Sequence, residues 1–161
     1  MRSILLVCTA NICRSPMAEG VIRKLLSTEG VDAIFDLDSA GTHDYHVGKP
    51  PYPPAVTSAK YRGYDITHLV ARRIRPHDFD HFDLILAMDK ANIDYLKKIA
   101  PTRCKQKIEL LLDYSGKYHG MEVPDPFGGE IKDYELALDM IEDGCKGLVA
   151  LLVSRIRSGL A

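Results

Sequence analysis

The chain alternates short, continuous apolar runs with longer segments in which apolar residues recur every three or four positions. Buried β-strands are predicted for the four apolar runs at residues 4–7, 34–38, 84–88 and 108–112. Helices are predicted where the spacing is helical, at residues 17–26, 55–61, 90–99 and 134–156. This alternation is typical of an α/β fold in which helices cover both faces of a parallel sheet.

Residues at the ends of these segments support the assignment. Ser15 is placed to cap the first helix, with Pro16 at its first position. Gly144 and Gly147 should weaken the last helix locally, because glycine lowers helix propensity. No internal repeat, low-complexity segment or linker interrupts the sequence, so we expect the 161 residues to form a single domain.

The composition excludes several classes of protein. Hydrophobic residues make up 46% and charged residues 27%, which is ordinary for a folded soluble domain. A formal net charge of −1 provides no broad basic field, so we expect neither a nucleic-acid nor a membrane partner. The apolar run at residues 4–7 is shorter than the ~7–15 residues of an export signal. Four cysteines are too sparse for a disulfide scaffold, so we expect a cytoplasmic protein.

The candidate chemistry lies between Cys8 and Ser15, in the segment Cys-Thr-Ala-Asn-Ile-Cys-Arg-Ser that joins the first strand to the first helix. Unpaired N–H groups and the positive end of a helix dipole attract an anion to such a turn. Arg14 could hold two oxygens of that anion, and the same field favours the thiolate form of Cys8. The residues expected to surround a phosphate are Thr9, Ala10, Asn11, Ile12, Cys13, Arg14 and Ser15.

Two residues of this segment have an expected structural role. The loop contains no glycine, so Asn11 is best suited to a left-handed conformation within it. Ser15 can cap the helix and also donate a hydrogen bond to the Cys8 sulfur. Taken singly, each residue favours an ordinary structural role: Cys8 as a buried core thiol, Arg14 as a solvated side chain and Ser15 as a simple cap. Their combination at one strand-to-helix turn favours a nucleophile beside an anion site.

These residues resemble the signature of the low-molecular-weight protein tyrosine phosphatase family, Cys-x5-Arg-Ser followed by proline. The resemblance covers nearly the whole chain, because further family segments follow in order. These segments are Asp38-Ser39-Ala40-Gly41-Thr42, Gly48-x-Pro50-Pro51, Ile66-Thr67-His68, Phe82-Asp83 with Met88-Asp89, and Pro124-Asp125-Pro126. The family fold is a four-stranded parallel sheet with helices on both faces, a flavodoxin-like three-layer sandwich, and it agrees with the pattern above.

The resemblance implies an enzyme that hydrolyses phosphotyrosine and small aryl phosphates through a covalent phosphocysteine, with no cofactor. Cys8 matches the nucleophile, Arg14 the phosphate clamp and Asp125 the general acid. Matched positions that support the loop are Asn11, Ser15, Ser39 and His68. Matched positions that wall the substrate cleft are Ile12, Tyr45, His46 and Phe127. Cys13 matches a second loop cysteine that can close a reversible disulfide with Cys8.

The resemblance also implies partners. We expect tyrosine-phosphorylated proteins as substrates, phosphate or vanadate as active-site anions, and a monomer or weak dimer. His43 and His46 are spaced like a pair of metal ligands, but no further ligand is near them in sequence, so no metal site is expected.

The chain departs from the family pattern at three positions. Ala10 stands where family members usually carry glycine, which could alter the backbone of the loop. Phe127 and Gly128 stand where many relatives have two tyrosines, so control by phosphorylation of those tyrosines is not implied here, and Gly128 is expected to loosen the loop.

Two other functions fit part of the pattern. Thioredoxin-coupled arsenate reductases resemble this fold and loop, but they relay a disulfide through two more cysteines after the third strand. Residues 88–100 contain none, and Cys104 and Cys145 are expected to pack as small apolar side chains. A non-catalytic phosphate-binding module is the second alternative, although binding alone requires neither the thiol of Cys8 nor the acid of Asp125.

Overall fold

The computed structural model describes residues 1–160, which fold around a four-stranded, all-parallel sheet with strand order β2-β1-β3-β4. The main elements are β1 (Ser3–Cys8), α1 (Arg14–Thr28), β2 (Asp36–Gly41), α2 (Pro53–Tyr61), α3 (Pro76–His81), β3 (Leu84–Ala87), α4 (Lys90–Ile99), β4 (Ile108–Leu110) and α5 (Ile131–Arg157). The predicted fold class is therefore confirmed. Within these residues, no helix is both long enough and apolar enough to cross a membrane.

The central strand β1 divides the core into two layers because successive side chains of a strand point to opposite faces. Ile4 and Leu6 belong to a cluster that includes the buried residues of α1 and α5. Leu5 and Val7 belong to a second cluster, formed with residues of α3 and α4. Both sets are fully buried, so helices cover the sheet on both faces, as the continuous apolar runs predicted.

The strand register places the candidate loop at one edge of the sheet. β1 pairs with β2 on one side and β3 on the other, and Cys8 lies opposite Gly41 at the end of the β1–β2 ladder. The carboxyl ends of three neighbouring strands therefore meet around the loop that follows Cys8. This is the end of an open parallel sheet at which ligands bind.

Several predicted boundaries were wrong. The first helix begins at Arg14, and the Ser15 hydroxyl makes no capping bond because it is turned toward Asn11 and Cys8. β2 covers Asp36–Gly41 instead of residues 34–38, because Asp32–Ile34 forms a 3₁₀ turn and pairing with β1 continues to Gly41.

The sequence pattern missed the helix α3. Pro76 occupies one of its first positions, and Asp78 accepts a hydrogen bond from the backbone N–H of Arg75 at 2.7 Å. These are ordinary helix-start features. The helix has only six residues, too few for an apolar periodicity to be recognised.

Candidate active site

The loop of residues 8–15 adopts the backbone that its sequence predicted. Asn11 has a φ of 56°, the left-handed conformation expected of it. Ala10 is not among the positive-φ residues of the described chain, so its methyl group does not cause the strain of a left-handed backbone. Gly41 allows β2 to pass close to the loop, because a Cβ atom there would lie only 2.8 Å from the Thr9 carbonyl oxygen.

Backbone hydrogen bonds from neighbouring segments hold both ends of the loop. Thr42 N–H donates to the Cys8 carbonyl at 2.9 Å, and Tyr52 N–H donates to the Ile12 carbonyl at 2.8 Å. The loop is therefore fixed by the segments that follow β2 and precede α2. It does not depend on α1 alone for its shape.

The thiol of Cys8 is 3% exposed and lies beside the first turn of α1. Its Sγ is 3.1 Å from Ser15 Oγ. Ser15 Oγ also accepts a hydrogen bond from Asn11 Nδ2 at 2.8 Å, which leaves the single hydroxyl hydrogen of Ser15 free to donate to the sulfur. A thiolate at this position would be stabilised by that hydroxyl and by the positive end of the helix dipole.

Arg14 is 2% exposed and is held by groups from distant parts of the chain. Its Nη1 donates to Asp89 Oδ2 at 2.6 Å and to the Val123 carbonyl at 3.0 Å, and its Nη2 lies 3.6 Å from Asp125 Oδ2. Burial disfavours the charged guanidinium, but negative charge at Cys8, Asp89 and Asp125 outweighs this effect and raises the pKa of Arg14. The side chain is therefore a fixed cation next to the thiol.

The side chain of Asn11 supports the loop from beneath. Its Nδ2 donates to Ser15 Oγ and to Ser39 Oγ, and its Oδ1 accepts from the backbone N–H of Arg72 at 3.0 Å. The structure brings Asn11, Ser15 and Ser39 together but does not place His68 with them. His68 is exposed, and within residues 1–160 it makes no hydrogen bond to the loop, whereas the backbone N–H of Arg72 donates to Asn11 Oδ1.

Asp125 lies on a separate loop at the mouth of the same site. Its side chain is 51% exposed, and its Oδ1 accepts a hydrogen bond from Phe127 N–H at 3.2 Å. The backbone two residues earlier is anchored, since Val123 N–H donates to the Met88 carbonyl at 2.9 Å and its own carbonyl accepts from Arg14. The carboxylate is thus held near Arg14 while remaining accessible to a ligand.

A cleft of about 260 Å³ opens above the loop. The residues that line it are Cys8, Thr9, Ala10, Ile12, Cys13, Arg14, Tyr45, His46, Asp125 and Phe127. The rings of His46 and Tyr52 lie 5.8 Å and 5.0 Å from the Phe127 ring, measured between centroids. All four predicted cleft positions therefore line one pocket, with the thiol at its floor and aromatic rings at its rim.

Cys13 lies in the loop but has a different environment from Cys8. Burial, followed by the negative charge at Cys8, raises the pKa of Cys13 to about 12. Its thiol form therefore predominates at neutral pH. This bears on its predicted role in a disulfide, since a thiol must lose its proton before it attacks.

Asp89 is the site residue that sequence reasoning missed. The Met88-Asp89 segment of the family resemblance predicts no role for it, although it lies two residues after the end of β3, at the sheet edge where the loop lies. Asn92 also contacts the loop from this side of the sheet, where its Nδ2 donates to Thr9 Oγ1 at 3.2 Å. The position of Asp89 after a buried strand was the available signal.

The chain is similar in sequence and in fold to proteins of one family. The model of the family described as low molecular weight phosphotyrosine protein phosphatase matches residues 3–158. The chain is 39% identical over 151 residues to the low molecular weight phosphotyrosine protein phosphatase of Gallus gallus, covering 92% of this chain and 94% of that protein. It is 37% identical over 150 residues to the low molecular weight protein-tyrosine-phosphatase YfkJ of Bacillus subtilis, covering 93% and 95%. A crystal structure of a protein tyrosine phosphatase from Entamoeba histolytica matches with a TM-score of 0.91 and 34% identity, covering 100% of both chains.

Proposed function

Because this chain belongs to the low molecular weight phosphotyrosine protein phosphatase family, we propose that it hydrolyses phosphotyrosine through a covalent phosphocysteine at Cys8, with Asp125 as the general acid. The observation that carries the proposal is the convergence of Cys8, Arg14 and Asp125 on one cleft. They come from two segments far apart in the chain, the loop of residues 8–15 and the loop that contains Asp125, and Arg14 lies within 3.6 Å of Asp125. Nucleophile, cation and acid are the groups that this reaction requires.

In the first step, the Cys8 thiolate attacks phosphorus while the bond from phosphorus to the tyrosyl oxygen breaks. Asp125 gives its proton to that departing oxygen, so the leaving group is a neutral phenol. The transferring phosphoryl group is loosely bonded to both partners, and stabilisation of its charge therefore dominates. The loop amides and the guanidinium of Arg14 are the groups suited to that task.

In the second step, ionised Asp125 takes a proton from water as the water oxygen attacks the phosphocysteine. The phosphorus–sulfur bond breaks, inorganic phosphate is released, and Cys8 leaves as a thiolate. The Ser15 hydroxyl, 3.1 Å from the sulfur, is placed to donate a hydrogen bond to that thiolate. The enzyme then returns to its starting protonation state.

The walls of the cleft favour an aryl phosphate over phosphoserine. Tyr45, His46 and Phe127 form its upper rim, and Ile12 contributes an apolar side chain near the floor. A flat phenyl ring fills such a slot and carries its phosphate to the thiol. A short phosphoserine arm would leave the aromatic walls unfilled and would not reach as deeply. Tyrosine-phosphorylated proteins are accordingly the proposed substrates.

The arrangement of the other cysteines does not favour the arsenate reductase alternative. Cys145 packs in the α1–α5 cluster and Cys104 in the α3–α4 cluster, so they lie on opposite faces of the sheet. A disulfide relay needs cysteines that reach one another in succession. Burial also raises the pKa of Cys145, which disfavours its thiolate.

Rapid-quench measurement with phosphotyrosine tests the proposal, without added metal or reductant. We expect steady turnover and a phosphorylated intermediate whose mass shift maps to the peptide containing Cys8. Vanadate should inhibit competitively. Absence of turnover with both phosphotyrosine and p-nitrophenyl phosphate would contradict the proposed activity. Turnover without a Cys8-linked phosphate would contradict the covalent mechanism alone.

A further inference from the structure

Glu19 is a buried carboxylate beneath the loop that the mechanism above does not use. It lies on α1 and is 1% exposed, in a position where an ionised group is costly unless fully hydrogen-bonded. Arg23 donates to its Oε1 from Nε at 2.9 Å and from Nη2 at 2.6 Å. Ser39 donates to its Oε2 at 2.7 Å. Both oxygens of the carboxyl group therefore have donors, and one of the donors is a cation.

A continuous chain of hydrogen bonds connects Glu19 to the thiol. Ser39 Oγ, which donates to Glu19, accepts from Asn11 Nδ2 at 3.0 Å. The same Asn11 nitrogen donates to Ser15 Oγ at 2.8 Å, and Ser15 Oγ is 3.1 Å from Cys8 Sγ. Each of these side chains is buried, so the chain is shielded from competing water.

The charge of Glu19 determines which way each donor in this chain points. A carboxylate can only accept, so the Ser39 hydrogen must face Glu19, and the Ser39 oxygen is left to accept from Asn11. Asn11 must then present its amide nitrogen to both serines, an orientation that the Arg72 N–H bond to Asn11 Oδ1 reinforces. Ser15 accepts from Asn11, and its own hydrogen is left for Cys8.

We propose that Glu19 is a positioning residue, which orients the Ser39–Asn11–Ser15 chain so that the Ser15 hydroxyl donates to the Cys8 sulfur. The inference rests on the proposed function for its catalytic consequence, because that donation assists departure of the Cys8 thiolate from the phosphocysteine. Arg23 has the supporting part of keeping Glu19 in place. Its second contact, from Nη2 to the Leu37 carbonyl at 2.7 Å, fixes the guanidinium against β2.

The variant Glu19→Gln changes the donor and acceptor directions of the hydrogen bonds while keeping a side chain of nearly the same size and shape. The two Arg23 donors require an oxygen, so the glutamine would turn its NH₂ group toward Ser39. Ser39 would then accept from residue 19 as well as from Asn11, and its own hydrogen would be left without an acceptor. That hydrogen regains an acceptor if Asn11 gives up the Arg72 bond and presents its oxygen to the serines, and the Ser15 hydrogen then turns from Cys8 toward Asn11.

Two measurements on Glu19→Gln test the inference. Alkylation of Cys8 by iodoacetate across pH reports the thiolate without requiring turnover, and its midpoint should rise by about one pH unit. Rapid-quench kinetics with p-nitrophenyl phosphate should show phosphocysteine hydrolysis slowed roughly tenfold, with its formation slowed less. Glu135→Gln is the matched control, because it also removes a carboxylate from an arginine pair, here with Arg62 just after α2, but remote from the loop. Both readouts should be unchanged in that control.

The outcomes separate this inference from the proposed function. A folded Glu19→Gln protein with the wild-type alkylation midpoint would overturn the positioning role, whatever the turnover. A raised alkylation midpoint in Glu19→Gln, together with a wild-type protein that lacks phosphatase activity, would support the positioning role and contradict the proposed function. If Glu19→Gln does not fold, Ser39→Ala breaks the same chain while retaining the Glu19–Arg23 pair. An unchanged midpoint in Ser39→Ala would then overturn the inference.

Discussion

Asp89 Oδ2 accepts a hydrogen bond from Arg14 Nη1 at 2.6 Å, and Asp89 lies between the end of β3 and the first residue of α4. The other oxygen of Asp89 accepts from Asn92 N–H at 2.7 Å, at the start of α4. One carboxylate thus joins the proposed phosphate clamp to a helix on the opposite face of the sheet from α1. The direction of the guanidinium is set by β3 and α4 as well as by its own loop.

Asp89→Asn should weaken this orientation without removing the helix cap, because asparagine caps helices as well as aspartate does. Loss of a charge-assisted hydrogen bond should lower kcat/KM for p-nitrophenyl phosphate roughly 10- to 100-fold and weaken vanadate inhibition. Asp94→Asn, an exposed position on the same helix, is the control and should leave both unchanged. Wild-type vanadate affinity in Asp89→Asn would show that Arg14 does not need this partner.

Cys8→Ser should abolish turnover while preserving the fold, since the serine hydroxyl is a far weaker nucleophile at neutral pH than a thiolate. Phosphate should still bind, because the loop amides and Arg14 remain. Stopped assays with phosphotyrosine and a thermal melt with and without phosphate would measure both properties. Ordinary turnover by the serine variant would exclude Cys8 as the nucleophile.

Asp125→Asn should affect substrates according to the basicity of their leaving group. Asparagine can still accept the hydrogen bond from Phe127 N–H, so the loop keeps its shape while the proton is lost. The rate of phosphocysteine formation from phosphotyrosine should fall roughly 10²- to 10⁴-fold. The loss should be much smaller for p-nitrophenyl phosphate, whose leaving group needs less protonation.

A series of aryl phosphates decides between this role and a purely structural one. If Asp125 only shaped the turn, every substrate would slow by a similar factor. An equal loss across the series, in pre-steady-state measurements, would therefore remove Asp125 as the general acid. It would leave the assignment of Cys8 intact.

Mild peroxide should produce a Cys8–Cys13 disulfide that dithiothreitol reverses, with restored activity. The pKa of Cys13, raised to about 12, gives this reaction a recognisable pH dependence. The fraction of Cys13 thiolate rises with pH throughout the neutral range, so closure should accelerate roughly tenfold per pH unit. Quenched mass spectrometry would follow the closure, with Cys13→Ser as the control that loses activity irreversibly. A closure rate independent of pH would contradict attack by the buried thiol.

Gly147→Ala should destabilise the protein, although alanine has the higher helix propensity. A Cβ atom at this position of α5 would collide with the Tyr114 carbonyl oxygen. Either α5 or the 3₁₀ helix Leu111–Tyr114 would therefore have to move. We expect a loss of roughly 1–3 kcal/mol in the free energy of unfolding, measured by urea denaturation. Gly116→Ala meets nothing within 4 Å and should change it by less than about 0.5 kcal/mol. A stabilised Gly147→Ala protein would show that helix propensity dominates at this position.

The fold was largely predictable because its strands are buried on both faces. Runs such as residues 4–7 and 84–88 have no polar side, and this property alone indicates a parallel sheet between helices. Boundaries were less predictable, since β2 continues to Gly41 through pairing with β1, which no local pattern reveals. Gly147 shows the same limit, because a larger residue there is excluded by the backbone of Tyr114, which is distant in sequence.

The loop residues could be identified because they are contiguous, and the left-handed Asn11 follows from the absence of glycine around it. Contacts made across the sheet could not be foreseen in this way. His68 was expected to support the loop but is exposed, and a backbone N–H, that of Arg72, donates to Asn11. Backbone donors leave no signature in side-chain identity, and the buried partner of Ser39, Glu19, looks like any helical glutamate in sequence.

The exposed rim of the cleft has a consequence for the evolution of this protein. Tyr45 and Phe127 are 65% and 51% exposed, so they bury little surface and contribute little to folding stability. Replacement of either would cost the domain little stability, whereas the buried loop beneath has almost no such freedom. Under the proposed function, descendants of this gene can therefore change their substrate proteins through substitutions at the rim while the reaction itself is inherited unchanged.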